Sequence, residues 1–396
     1  MKIMIRFSLI ALFFFSTLLL HAQVRVGAER LERYLPMLKD KSIGIVGNQT
    51  SVLGSTHLVD TLLSLEVNVK KVFCPEHGFR GIAEAGELIG DQLDLKTGLP
   101  IVSIYGKSKK PASEQLDSIE MLIFDIQDVG ARFYTYVSTL HYVMEACAEN
   151  GITVLVLDRP NPNGYYIDGP ILKEGYESFV GKHRIPVVHG MTIGEYARMI
   201  NGERWLDNEI QCDLIIISCE GYDHNTRYQL PIRPSPNLPN MASVYLYPSL
   251  CFFEGTLVSI GRGTDHPFQC YGHPRLAFGS FAFTPAGEGK IVTKLNGEKC
   301  LGANLSGVAD DFRKEGKLRL GYLIGTYLHL SKLLEKDAEE KEFFTDYFDK
   351  LAGSDELRKQ IQSGTTEEKI RESWQADLAS FKKIRKQYLL YSDFDR

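Results

Sequence analysis

The sequence has no large surplus of either charge, no cysteines paired at motif spacing and, past its first 22 residues, no long apolar run. Its 45 Lys and Arg against 50 Asp and Glu leave a net charge of -5 over 396 residues. Nucleic-acid binders usually carry a clustered basic face, so nucleic acid is excluded as a partner. The seven cysteines, at 74, 147, 212, 219, 251, 270 and 300, form no CxxC pair, which argues against a structural zinc site or a redox motif. Their odd number leaves at least one thiol free or paired between chains, and their irregular spacing in a long chain suits at most one disulfide, not a disulfide framework. GxGxxG, GxxxxGK[ST] and GxSxG are all missing, and Gly130-Ala131-Arg132 lacks dinucleotide spacing. A Rossmann-type sheet here would therefore imply no dinucleotide, and an α/β-hydrolase serine is disfavoured. Internal repeats and low-complexity segments are absent as well.

What is present begins with targeting. Lys2 and Arg6 precede an apolar run from Phe7 to Leu20, and His21-Ala22 then meets Gln23. A charged start, an apolar core and a small residue at the break describe a secretory signal peptide over residues 1–22. The run is shorter than the roughly 20 residues a spanning helix needs, so an uncleaved anchor is the lesser reading. No Cys follows it for lipid attachment. The expected product is exported, periplasmic and without a membrane span once the signal is removed.

Hydrophobic residues at 44% and charged ones at 24% are ordinary for a globular chain. The length favours two domains. Short unbroken apolar runs recur at 43–46, 69–73, 101–104, 121–124 and 153–157, with helical stretches near 56–65 and 134–150. Runs that do not alternate suit strands buried on both faces, so an α/β domain around a parallel sheet is expected. The Pro- and Gly-rich stretch 160–170 marks its boundary. The reading is a Rossmann-like α/β domain over 23–165 and a smaller α+β domain with C-terminal helices over 166–396. In the second part, Thr192-Ile193-Gly194-Glu195 reads as a capping box, and 214–218 as a further strand. Three prolines make 233–240 an extended loop. The charges of 337–387 read as a solvated helical face.

Polar residues cluster straight after the runs, at the carboxyl ends of the strands, where open α/β sheets bind ligands. Asn48, Glu76, Asp125 and Asp158 stand at four such ends, and together they suggest one site. The densest is Pro75-Glu76-His77-Gly78-Phe79-Arg80-Gly81, with Glu84 and Glu87 further along the loop. A carboxyl group among Phe73, Pro75 and Phe79 can be desolvated into a general acid; it can equally pin the loop through a salt bridge. Asp128, Arg132, Tyr134 and Tyr136 follow the fourth run. The second half adds Asn237 in the proline loop, and Glu254 and Arg262, each flanked by Gly. His77, Asp125, Asp128 and His266 are capable metal ligands, yet their spacing matches no metal motif. No metal or other cofactor is expected.

These blocks carry a resemblance. Pro75 to Gly81, Asp125 to Tyr136, Asp158 to Pro162, Pro234 to Pro239, and Glu254-Gly255-Thr256 with Gly261 to Thr264 resemble, in order, the NamZ-type exo-β-N-acetylmuramidases, glycoside hydrolases once known only as a domain of unknown function. The resemblance implies release of a terminal β-1,4-linked N-acetylmuramic acid from the non-reducing end of peptidoglycan fragments. It also implies a cleft between a Rossmann-like half and a smaller one, with Glu76 as the catalytic glutamate. Glycoside hydrolysis usually needs a second carboxyl group. Glu254 and Asp125 are the candidates, unless the substrate's acetamido group takes the nucleophile's part. An Arg, 132 or 262, is expected on the lactyl carboxylate. Asn48, His77, Arg80, Glu84, Asp128, Tyr134, Asp158 and Asn237 are the remaining expected contacts to the peptidoglycan-derived saccharide. Two other classes stay open: a non-catalytic wall-binding module, and an exported hydrolase of another bond, such as a metal-dependent N-deacetylase.

Overall fold

The computed structural model describes residues 24–76, 78–80, 92–106, 108–277, 279–287, 293–334 and 342–394. The expected signal peptide lies outside them. Each apolar run becomes a strand of one seven-stranded sheet: β1 (Ile43–Gly47), β2 (Val69–Cys74), β3 (Gln92–Leu93), β4 (Pro100–Ser103), β5 (Met121–Asp125), β6 (Thr153–Leu157) and β7 (Leu214–Ile217). The order is β7-β6-β5-β1-β2-β4-β3, and all pairings are parallel except the short antiparallel edge of β3 on β4. Every residue of β1 and β5 is buried.

The pleat explains why the runs do not alternate in polarity. Val46, Phe73, Leu122, Phe124, Val154 and Val156 point into one core, while Ile43, Ile45, Val72, Ile123 and Leu155 point into the other. Alternate residues serve opposite layers, so both must be apolar. Fully burying each such side chain contributes about 1.5–3 kcal/mol. Helix α1 (Leu58–Ser64) packs Leu58, Val59 and Leu62 into the second layer. Helices α2 (Tyr136–Glu149) and α3 (Ile193–Gly202) cover the first. Thr192 caps α3: its hydroxyl accepts from the Glu195 N–H, and the Glu195 carboxylate accepts from the Thr192 N–H.

The first core does not stop at the sheet. It continues through Val244 and Leu250 of α4 (Met241–Leu250) to Phe252, Phe348, Leu351 and Leu378. The sheet also takes its edge strand β7 from beyond the boundary expected after residue 165. The second half adds a three-stranded antiparallel sheet of β8 (Cys270–His273), β9 (Phe281–Phe283) and β10 (Cys300–Asn304), in the order β8-β10-β9. Helices follow from Gly321 onward, among them α5 (Asp346–Ala352). All seven cysteines are buried, and the six other than Cys74 are free thiols. No helix among the described residues is long and apolar enough to cross a membrane.

Candidate functional site

Glu76 stands where β2 has ended at Pro75, which cannot donate to the ladder. The turn closes through the Gly78 N–H to the Pro75 carbonyl at 3.1 Å, with Gly78 at φ 74°, a conformation Gly takes without penalty. Two hydroxyls then hold the Glu76 carboxyl group. Tyr105 Oη, just past β4, donates to Oε1 at 2.8 Å, and Thr135 Oγ1, at the start of α2, donates to Oε2 at 3.2 Å. Strand ends β2 and β4 and a helix start thus converge on one carboxyl group.

The cavity it faces, about 160 Å³, is shared between the two halves. The part before α4 contributes Glu76, Tyr105, Phe133 to Tyr136, Phe179, Val180 and Asn237; the part from α4 onward contributes Tyr247, Glu254, Arg262, Phe268 and Tyr347. Glu254 and Arg262 form a two-point ion pair, Nε to Oε1 at 3.1 Å and Nη2 to Oε2 at 3.3 Å. Burial works against the Arg262 charge, but Glu254 outweighs it, and the guanidinium stays firmly protonated. The Glu254 backbone is clamped from two sides. Lys294 Nζ donates to the carbonyls of Phe253, Glu254 and Thr256 at 2.9, 3.2 and 2.5 Å. Burial lowers that ammonium to about 8. On the other side, Gly255 lies so close to α5 that a Cβ there would meet Phe348 Cα at 2.4 Å.

Six residues singled out from sequence therefore line one cavity: Glu76, Tyr134, Tyr136, Asn237, Glu254 and Arg262. The other strand ends do not reach it, and each has a physical reason. The Asp125 carboxylate is sealed by Arg159 through bonds of 2.6 and 2.9 Å, with both side chains buried. Asp158 accepts from the Gly194 N–H, the Thr192 hydroxyl and the Tyr391 hydroxyl, and burial raises its carboxyl to about 6. Asn48 lies one layer behind, donating to Tyr136 Oη at 2.9 Å. Asp128 is buried beside His189, 3.8 Å away; desolvation lifts its carboxyl to about 7 and presses the imidazole to about 3. Arg132 spends its donors on the carbonyls of Pro170, Ile185 and Leu351, fastening the halves together. Arg80 is held by Asp94, whose carboxyl it keeps down at about 2. His77 and Glu84 lie outside the described residues. So does Glu87. Among the described residues, no group of three or more His, Cys, Asp or Glu converges as metal ligands.

Family models for the N-terminal and C-terminal parts of the exo-β-N-acetylmuramidase NamZ match residues 43–242 and 245–391. The chain belongs to the exo-β-N-acetylmuramidase NamZ family. A peptidoglycan β-N-acetylmuramidase NamZ of Bacillus subtilis (strain 168) is 39% identical over 395 residues, covering 93% of this chain and 92% of its own. Crystal structures of two DUF1343 family proteins from Bacteroides fragilis NCTC 9343 superpose with TM-scores of 0.85 and 0.80. They share 46% and 30% identity and cover 94% and 93% of this chain, and 100% and 99% of their own. The two NamZ matches divide after β7, inside α4, and the cavity draws on both: Glu76, Tyr105 and Thr135 from the first, Glu254, Arg262 and Tyr347 from the second.

Tyr105, Thr135, Phe179 and Tyr347 are cavity residues that sequence reasoning did not single out. Tyr105 had a signal, since it closes an apolar run as Glu76 nearly does. Tyr347 had none, because it sits in a charge-rich stretch that reads as solvent-facing.

Proposed function

We propose that this chain is an exo-acting glycoside hydrolase that releases terminal β-1,4-linked N-acetylmuramic acid from the non-reducing ends of peptidoglycan fragments. The observation that carries the reading is the shared cavity, where the tethered carboxyl group of Glu76 meets the Glu254–Arg262 pair. Glu76 is the general acid that protonates the leaving glycosidic oxygen. A hydroxyl both donates and accepts, so Thr135 can hold this group whether it carries its proton or has delivered it. Glu254 is the second carboxylate, since it lines the cavity with Glu76 while Asp125 is fully buried outside it. Arg262 is the recognition residue for the lactyl carboxylate, because a guanidinium suits that group and Arg262 lines the cavity, whereas Arg132 is buried away from it among backbone carbonyls. Export to the periplasm through residues 1–22 would put the enzyme where peptidoglycan lies.

A chromogenic N-acetylmuramide assayed beside its N-acetylglucosaminide analogue tests this reading. The wild type should turn over the muramide in preference, and Glu76→Gln should lower kcat by about 10²–10⁴-fold. Undiminished turnover in that variant would remove Glu76 from the mechanism. Binding of muramic saccharides without cleavage would favour a wall-binding module, and loss of activity with a chelator would favour a metal-dependent hydrolase.

A further inference from the structure

A ridge of half-exposed aromatic rings leads away from the Glu76 cavity along the first half of the chain. Tyr105 lies 6.2 Å from Phe179, centroid to centroid, and both line the cavity. Phe179 in turn stacks on Tyr142 of α2 at 6.4 Å, with ring planes 19° apart, and Tyr142 lies outside the cavity. Two ammonium groups sit on these rings. Lys109 Nζ is 4.5 Å from the centre of Phe179, and Lys182 Nζ is 4.9 Å from the centre of Tyr142. Neither is paired with a carboxylate among the described residues; Glu145 and Glu149 of the same helix are both held by Lys110.

We infer that this ridge is a leaving-group subsite for an anionic glycan, the carboxylate-bearing saccharide that remains once the terminal sugar is cut off. The inference rests on the glycosidase reading and adds the part of the substrate that the small cavity cannot contain. Flat ring faces pack against the C–H-rich faces of pyranose rings. The cation–π contacts hold Lys109 and Lys182 over two of those rings, where each ammonium can meet a lactyl or stem-peptide carboxylate of a glycan lying along the ridge. Continuity matters most: Tyr105 touches Glu76 itself, so a chain leaving the scissile bond along this wall meets Phe179 and then Tyr142. With a net charge of -5 for the whole chain, two ammonium groups beside one cavity with no carboxylate partner among the described residues are a local feature that favours an anion.

The test compares two substrates on the full-length mature protein. A chromogenic N-acetylmuramide has no saccharide in its leaving group, whereas a tetrasaccharide cut from peptidoglycan has one with free carboxylates. Lys109→Glu combined with Lys182→Glu should lower kcat/KM on the tetrasaccharide about tenfold at low salt, an effect that added salt should shrink. The same variant should hydrolyse the chromogenic muramide like the wild type. Tyr142→Ala should also weaken tetrasaccharide turnover, without the salt dependence. Equal losses on both substrates, or none on the tetrasaccharide, overturn the subsite. Should the charge-reversal protein fail to fold, Lys109→Ala and Lys182→Ala singly give the same comparison. If the wild type cleaves no muramide, the glycosidase reading fails by itself. The ridge is then judged by equilibrium binding of the tetrasaccharide, with equal affinity for wild type and variant overturning it and tighter binding by the wild type supporting it.

Discussion

Both carboxyl oxygens of Glu76 are engaged, and only one of the two hydroxyl donors comes from a long side chain packed at a strand end. Tyr105 therefore sets where the acid points, while Thr135 follows the backbone of the helix start. Tyr105→Phe keeps the ring and its packing on Phe179 and removes the 2.8 Å bond. Steady-state kinetics should show kcat reduced by about tenfold with KM little changed, as expected when one bond that orients the acid is lost. An unchanged kcat would mean that Thr135 alone suffices. Elsewhere the same residue types serve packing instead. Arg132 has a guanidinium as good as that of Arg262, yet its surroundings are carbonyls, and burial lowers it to about 9. What separates a reader of carboxylates from a fastener is the company each keeps.

Among the elements, the short helical turn carrying Glu254 (Cys251–Gly255) depends on its neighbours more than on itself. A turn of this length has few bonds of its own, and Lys294 satisfies its terminal carbonyls while α5 presses on Gly255. Gly255→Ala would drive a methyl into Phe348 and should destabilise the protein by about 1–3 kcal/mol, read by chemical denaturation. It should also reduce kcat, because Glu254 shifts with its backbone; full activity in a destabilised variant would separate the turn from catalysis. The parallel strands of the main sheet were legible from residues alone, since each unbroken apolar run reports burial on two faces; the exposed edge strand β3 and the small sheet of β8 to β10 lack such runs and were not. The polar ends of the parallel strands were only partly legible. Glu76, Asp125 and Asp158 look alike in sequence, each a carboxylate after an apolar run. What closes the latter two, Arg159 beside one and Thr192 with Tyr391 around the other, is brought there by folding. The helical stretch past residue 337 looked solvent-facing because its charges outnumber its few apolar residues. Phe348 and Leu351 nonetheless bury their side chains against the rest of the molecule.

At the scale of the whole molecule, a set of neutral histidines lies inside the shared core. His183 bonds His141 and Tyr196, and His189 faces Asp128 and the ring of Tyr196, with Arg132 and Arg385 near enough to oppose its charging. Desolvation holds His183 well below its ordinary value of 6.5 and His189 at about 3. A depressed folded pKa means that the unfolded chain takes up the proton first. The stability linked to these groups is thus present above pH 6.5 and lost as pH falls toward the folded value. Replacing one of them isolates its share: relative to the wild type, His189→Asn should gain about 1.4 kcal/mol for each pH unit below that point, measured by denaturant titration from pH 7 to pH 4. A pH-independent difference would show that His189 titrates alike in both states.

The bond between Tyr391 and Asp158 has a consequence in time. The two residues are 233 positions apart, and Arg385 and Leu390 make similar returns, to the Gly190 carbonyl and to Glu195. A growing chain can lay down β1 to β7 well before those returning residues exist. Until they arrive, Asp158 has only Thr192 and Gly194 as partners, and the Tyr391 side of the sheet end stays open. Closing so long a loop comes late and slowly, so the nascent first half should wait in an unlatched state until the stretch from Arg385 to Tyr391 returns and commits the molecule to its fold.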